Sequence, residues 1–277
     1  MRAKSTPRVP RIERPRISQI EEIILAARVV ILFADENQII SPDEVGEPEV
    51  IRRAASKLGT QYQEFQLVSQ FRCDGSDTYL TWLDDVFSLT SPQQGLKLAV
   101  PSGFHLTILD SPENLLEEVQ QLNNAIPNSA RLIAGWCWPW SDPNPDGTLV
   151  KDIVIGDFQF PWEAKNGSKP APGIPEAKYW AVDPNGVNQA GTVYSVQGFE
   201  ARHVGVIMGR DLVNRDGEWI AQPQYNYSNS IRRKLPSQVL PYLKRIYRTL
   251  LSRGMHSCSI YCTDQETRRY LESRLLQ

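Results

Sequence analysis

Apolar positions along the chain switch repeatedly between a helical and a strand-like period. Ser18 and Glu21 form a capping box ahead of Ile20, Ile23, Ile24 and Ala27, which share one helical face. The uninterrupted apolar run Val29-Val30-Ile31-Leu32-Phe33 reads as a strand buried on both faces, as in a parallel sheet. It ends in the polar cluster Asp35-Glu36-Asn37-Gln38. Pro48 opens a helix through Val50, Ile51, Ala54, Ala55 and Leu58 that Gly59 stops. Phe65 to Val68 reads as a further strand. A helix capped near Ser76 carries Tyr79, Leu80, Trp82, Leu83, Val86 and Phe87 on its buried stripe, and Ser111-Pro112 opens another with Leu115, Leu116, Val119, Leu122 and Ile126. Arg131 to Trp136 and Asp152 to Ile155 read as strands, and residues 163–190, rich in Gly, Pro and Asn, as a long surface excursion. Thr192 to Val196 and Val204 to Met208 read as short strands around a Gln197-Gly198 turn. A long helix follows from Pro236 to Gly254, then a strand from Ser257 to Tyr261 and a last helix starting at the Thr263–Glu266 capping box. This alternation predicts an α/β fold, a parallel sheet flanked by helices.

Composition narrows the function only by exclusion. The 277 residues carry a formal net charge of -2, so any nucleic-acid surface must be local. No apolar run is long enough to span a membrane, and no apolar stretch of signal-peptide type follows the basic start, so a cytoplasmic protein is expected. Cys73, Cys137, Cys258 and Cys262 match no zinc spacing and read as reduced thiols. His105, His203 and His256 are scattered, so no metal ligands are assigned. Residues 1–17 combine Arg2, Lys4, Arg8, Arg11, Arg14 and Arg16 with Pro7, Pro10 and Pro15, and read as a solvated basic arm.

Four segments carry candidate chemistry. They are Asp35-Glu36-Asn37-Gln38, Gln70-Phe71-Arg72, the run from Gly191 to Glu200 (G-T-V-Y-S-V-Q-G-F-E), and the run from Tyr247 to Gly254 (Y-R-T-L-L-S-R-G). Taken singly, each also reads as an ordinary turn or helix end; an arginine at a helix C-terminus, such as Arg253, is favoured by the helix dipole alone. In this order they resemble the third, fourth, fifth and sixth motifs of a superfamily 1 helicase motor. That resemblance implies that Gln38 and Arg72 sense the γ-phosphate, with Asp35 in the same coupling region. Gln197 and Glu200 flank the turn at Gly198, and the resemblance implies that they face nucleotide and nucleic acid. By the same resemblance Tyr247 would pack under the nucleotide, and Arg253 would be the arginine finger.

With G-D-F-Q-F-P-W (Gly156 to Trp162) added, nearly the whole chain is similar to the Schlafen group 3-like DNA/RNA helicase domain. The resemblance implies RecA-like lobes, ATP, Mg²⁺ and nucleic acid, either DNA or RNA. The expected division is 1–68, a remnant of the first lobe with the basic arm, and 69–277, the second lobe. The chain departs from that pattern in one respect: no G-x-x-x-x-G-K-[ST] phosphate loop and no D-E-A-H box occur in it. Residues 2–16 resemble the stretch that follows that box, so Met1 reads as an internal methionine of a longer frame. ATP would then be held in a shared site, with Mg²⁺ and the phosphate loop supplied by an upstream polypeptide, and the chain alone would be inactive. The alternative is a non-enzymatic RecA-like module used for binding. The aromatics Trp136, Trp138, Trp140, Phe158, Phe160 and Trp162 read either as a base-stacking platform or as a patch closing a sheet edge. Arg232, Arg233, Lys234, Lys244, Arg245 and Arg248 read either as phosphate contacts or as a solvated helix face.

Overall fold

The computed structural model describes residues 17–44, 46–65, 73, 77–89 and 104–275. The chain divides into two compact units, one made of Met1–Glu36 with Val45–Gln66 and the other of Asn37–Glu44 with Leu67–Gln277.

In the smaller unit, helix α1 (Gln19–Ala26) starts at the capping box: the Ser18 hydroxyl accepts from the Glu21 amide at 3.2 Å and the Glu21 carboxylate accepts from the Ser18 amide at 3.1 Å. Helix α2 (Pro48–Lys57) has proline in its first turn, where the missing amide hydrogen costs nothing. The two helices meet through buried Ile20, Ala54 and Ala55 and an ion pair from Lys57 to Glu21 at 2.8 Å. Here the sequence expectation for Val29 to Phe33 fails. These residues are extended but belong to no strand, and Val29, Ile31 and Phe33 are 80%, 76% and 85% exposed. A strand exists only where a neighbour takes up its amides and carbonyls, and among the described residues none pairs with this one. The strand expected at 65–68 falls mostly outside the described residues, as does the basic arm.

The larger unit is built on a five-stranded, all-parallel sheet in the order β1-β9-β6-β2-β5. Helix α3 (Asp77–Val86) precedes strand β1 (His105–Leu109); helix α4 (Pro112–Ala125) then leads to β2 (Ala130–Ala134). A small antiparallel pair, β3 (Ile153–Ile155) and β4 (Phe158–Phe160), and the short helix α5 (Ala177–Trp180) come before β5 (Ala190–Gly191). Helix α6 (Val193–Val196) leads into β6 (Ala201–Met208). The hairpin β7 (Leu212–Arg215) and β8 (Glu218–Ala221) follows, with helices α7 (Asn229–Arg232) and α8 (Pro236–Leu251), strand β9 (Gly254–Cys262) and helix α9 (Gln265–Ser273). This is an α/β arrangement of RecA-like type.

Side chains alternate across the sheet, so each strand feeds two cores. Ala130, Leu132, Ala134 and Ile207 face Leu115 and Val119 of α4. Ile133, Val204, Val206, Met208, Cys258 and Ile260 face the other way, toward Val239, Leu243 and Leu250 of α8 and Tyr79, Trp82 and Leu83 of α3. Gly205 allows the close approach of α4, since a Cβ there would lie 2.5 Å from a Val119 methyl. Helix α3 is fixed by a part-buried ion pair of Asp84 with Arg248 and by the Tyr79 hydroxyl, which donates to the Leu251 carbonyl at 3.0 Å.

Two further expectations change. Residues 193–196 form a helix rather than a strand, because β5 ends at Gly191, against the Trp180 ring. The stretch 163–190 is not a loose excursion. Glu163, Ala164, Trp180 and Gln189 are buried, and the buried Arg131 guanidinium donates to the carbonyls of Trp180 at 3.2 Å, Ala181 at 3.1 Å and Asp183 at 2.8 Å. Burial holds that guanidinium down at about 10.

Candidate functional site

Strands β6 and β9 are parallel neighbours whose amino ends start level, with Ala201 opposite Gly254. The chain therefore enters both strands at one place. On the β6 side, α6 ends at Gln197 in extended backbone, and Gly198 takes φ +80, a conformation that an L side chain rarely adopts. Gly198 and Glu200 are exposed and Gln197 is half-buried. On the β9 side, α8 ends at Leu251, and Arg253 sits at the start of the strand, where its carbonyl accepts from the Ala201 amide at 3.1 Å.

The Arg253 side chain is fully buried. Its Nε donates to the Thr249 carbonyl at 2.9 Å and Nη1 to the Val196 carbonyl at 3.3 Å. The Val196 carbonyl is the one just before Gln197, so both motifs meet at a single peptide. The Gln197 side-chain amide in turn donates to the main-chain carbonyl of Gln38 at 3.0 Å, and the Thr249 hydroxyl lies 3.5 Å from the Asn37 carbonyl. Ile39 and Ile40, both buried, anchor the segment that carries Asn37 and Gln38.

The structure thus gathers Gln38, Gln197, Gly198, Glu200 and Arg253 at the amino edge of β6 and β9. It does not bring Tyr247 there. That side chain is fully buried at the opposite, carboxyl edge, where its hydroxyl accepts from the Gly209 amide at 2.9 Å and donates to Asp211. A tyrosine on the buried face of α8 lies almost two helical turns before Arg253, so it reaches the far end of the strands. Asp35 is exposed and belongs to the smaller unit. Arg72, with Gln70 and Phe71, lies outside the described residues.

The network around Asp211 was not anticipated from the sequence. Asp211 follows β6, is fully buried, and also accepts from the Asn226 side chain at 2.6 Å. Burial raises its carboxyl above the usual range, against the opposing pull of its hydrogen bonds. Gly135 makes room for Tyr247, since a Cβ there would sit 2.1 Å from the tyrosine oxygen. A glycine directly after each of two buried strands, Gly135 and Gly209, was the available signal. Glu163 is a second buried acid, beside the end of β5. Its carboxylate accepts from the Ser195 hydroxyl and, at 3.3 Å, from the Thr192 hydroxyl. Burial pushes its carboxyl up to about 7.

A family model described as Schlafen group 3, DNA/RNA helicase domain, matches residues 10–264. The chain belongs to the Schlafen group 3 DNA/RNA helicase domain family. No curated protein matches it. As a Schlafen group 3 helicase domain it is a helicase-like, nucleotide-binding module, and its amino-edge cluster can be compared with what a triphosphate needs. A guanidinium, a carboxamide and an open glycine turn suit phosphate oxygens. Mg²⁺ at a nucleotide takes one or two protein oxygens together with phosphate oxygens and water, and among the described residues no group of three or more His, Cys, Asp or Glu is placed to hold a metal ion by itself. The side chains gathered here are of a kind that suits phosphate oxygens, and no cluster of metal ligands is found among the described residues.

The remaining candidates of this Schlafen group 3 domain divide. Phe158, Phe160 and Trp162 are buried, and Trp136, Trp138 and Trp140 pack half-buried against the same core. The Trp140 indole donates to the Glu163 carbonyl at 2.7 Å. Arg248 is spent on Asp84, and Lys244 and Arg245 are half-buried, whereas Arg232, Arg233 and Lys234 are exposed at the start of α8. The Arg232 guanidinium lies 5.0 Å from the Tyr227 ring centre. Among the described residues no helix is long and apolar enough to cross a membrane.

Proposed function

We propose that this chain supplies the arginine-bearing side of a shared ATP site in a two-lobe, helicase-like motor. In this reading the larger unit is the second RecA-like lobe and the smaller one is a remnant of the first. The observation that carries the reading is the convergence of Gln38, Gln197 and Arg253 on one edge of the sheet, from segments far apart in sequence.

Phosphoryl transfer is catalysed by positioning and by charge stabilisation, and an arginine finger acts through the charge it brings to the γ-phosphate. When bound, ATP would supply the γ-phosphate on which that charge acts, with its Mg²⁺ held by the phosphate-loop side. The residues of this chain hold and present the guanidinium. In the state described, Arg253 is buried and donates to main-chain carbonyls, so meeting a phosphate requires leaving Thr249 and Val196. The Gln197–Gln38 bond ties the neighbouring segment to the same movement. A stowed arginine, together with the missing phosphate loop, supports low ATP turnover by the chain alone. Arg232, Arg233 and Lys234 form an exposed basic run open to a nucleic-acid backbone. The test is phosphate release from ATP by the pure chain, and by the chain with a phosphate-loop-bearing partner. Robust turnover by the pure chain overturns the shared-site reading.

A second reading is a non-enzymatic interaction module. The exposed apolar strand-like segment at Val29, Ile31 and Phe33 favours it, since such a segment is a template for strand addition by a partner. A partner that lacks a phosphate loop and covers this segment would support that reading over the first.

A further inference from the structure

The sheet has a second edge, and its topology opens a crevice there. Helix α4 delivers the chain to β2 across one face; α8 carries it from β6 to β9 across the other. At their carboxyl ends β2 and β6 are neighbours, yet the chain leaves β2 toward β5 and leaves β6 toward β9. Open α/β sheets bind ligands where neighbouring strands part in this way. A cleft of about 280 Å³ lies there, lined by Trp138 after β2, Ile155 and Gly156 at the β3–β4 turn, Arg210 after β6, Tyr225, and Thr263 after β9.

The charge on this wall is decided by one residue. The Arg210 side chain is exposed and has no hydrogen bond or ion pair among the described residues. Two acids next in sequence to lining residues are committed, whereas Asp157, next to Gly156, is exposed. Asp211 is buried under Tyr247 and Asn226, and Asp264, next to Thr263, is gripped by the Arg215 guanidinium at 2.8 Å. The thiol of Cys137, which also lines the cleft, is pushed well up by burial and carries no charge at neutral pH.

The apolar part of the wall is planar. The Trp138 indole nitrogen is taken by the Val154 carbonyl at 3.0 Å, which leaves the ring for apolar contact, and Tyr225 is 41% exposed. Gly156, at φ +58, has no atom within 4 Å of where a Cβ would stand, so a ligand can approach its backbone.

From this geometry we infer a second binding site, specific for a nucleoside monophosphate, with the base against Trp138 and Tyr225 and the phosphate on Arg210. One uncommitted guanidinium matches one phosphate group, and aromatic walls match a base. The site lies at the opposite edge of the sheet from Arg253 and does not depend on the shared ATP site.

The test is calorimetric titration of the full chain with AMP, adenosine and inorganic phosphate, combined with photo-cross-linking by 8-azido-AMP and peptide mapping. AMP should bind more tightly than either fragment. Arg210→Ala, at an exposed position that leaves the fold intact, should weaken AMP about tenfold while leaving adenosine unchanged. Tyr225→Ala should weaken both AMP and adenosine, and the cross-link should fall on the peptides holding Trp138 or Tyr225. No AMP binding at millimolar concentration, AMP affinity indifferent to Arg210→Ala, or a cross-link confined to other peptides would each overturn the site.

Discussion

The side-chain amide of Gln197 donates to the main-chain carbonyl of Gln38 across a sequence separation of 159 residues, at 3.0 Å. This bond joins the segment before β6 to the segment carrying Asn37 and Gln38, one peptide away from the carbonyl that holds Arg253. Gln197→Ala deletes this donor to the half-buried Gln38 carbonyl. The expected loss is about 1 kcal/mol in urea denaturation of the chain. An unchanged midpoint would show that this contact does not hold the edge together.

Tyr247 tests whether the carboxyl-edge network is structural. Tyr247→Phe keeps the ring and removes a hydroxyl that serves both the Gly209 amide and Asp211. With a buried acid and a buried amide each losing a partner, the expected cost is about 2–3 kcal/mol by chemical denaturation. Nucleotide affinity at the Arg253 edge should be unchanged. A loss of ATP affinity at unaltered stability would restore Tyr247 to the nucleotide.

Glu163 gives a pH dependence with a definite sign. Its folded carboxyl titrates at about 7 against an ordinary value of 4.5, so the folded state binds more protons than the unfolded chain between those values. Its contribution to stability is fully favourable at and below the lower value and falls as pH rises to the upper one. The accumulated loss is about 3 kcal/mol. Glu163→Gln, an uncharged isostere, should therefore be more stable than the natural chain at about pH 8 and close to it at about pH 4.5. Equal slopes of stability against pH in the two proteins would show that this carboxyl is not the titrating group.

Where the sequence sufficed, the information was local. The helix starts at Ser18, Pro48, Pro112 and Pro236 rest on caps and proline geometry, which need no distant partner. The central strands through Leu132, Val206 and Ile260 are apolar runs that any covered parallel sheet demands. Val29 to Phe33 has the same composition yet is no strand, because pairing depends on a neighbour that the pattern of one segment cannot reveal. Motif order placed Gln197 and Arg253 in one list, but their adjacency follows from β6 and β9 being parallel neighbours, which strand order alone determines. Tyr247 shares a motif with Arg253 and ends at the other edge, since almost two turns of α8 separate them. Nothing in the local sequence singles out the side chains of Asp211 and Glu163; tertiary burial does.

In the proposed reading, nucleic-acid contact would fall to the exposed group Arg232, Arg233 and Lys234. Replacing all of them with alanine should weaken binding of a fluorescein-labelled single strand in anisotropy titrations. The slope of log affinity against log salt should also become shallower by about 2. Affinity and slope both unchanged would move the interface elsewhere or remove it.

The central claim is that Arg253 is the catalytic arginine of a site completed from outside this chain. Its most direct test is phosphate release from ATP by the chain combined with a family polypeptide carrying the phosphate loop and acidic box, comparing the natural sequence with Arg253→Ala. Arg253→Ala should lower turnover about a thousandfold, with ATP affinity kept within about threefold. Turnover that survives Arg253→Ala unchanged would contradict the claim.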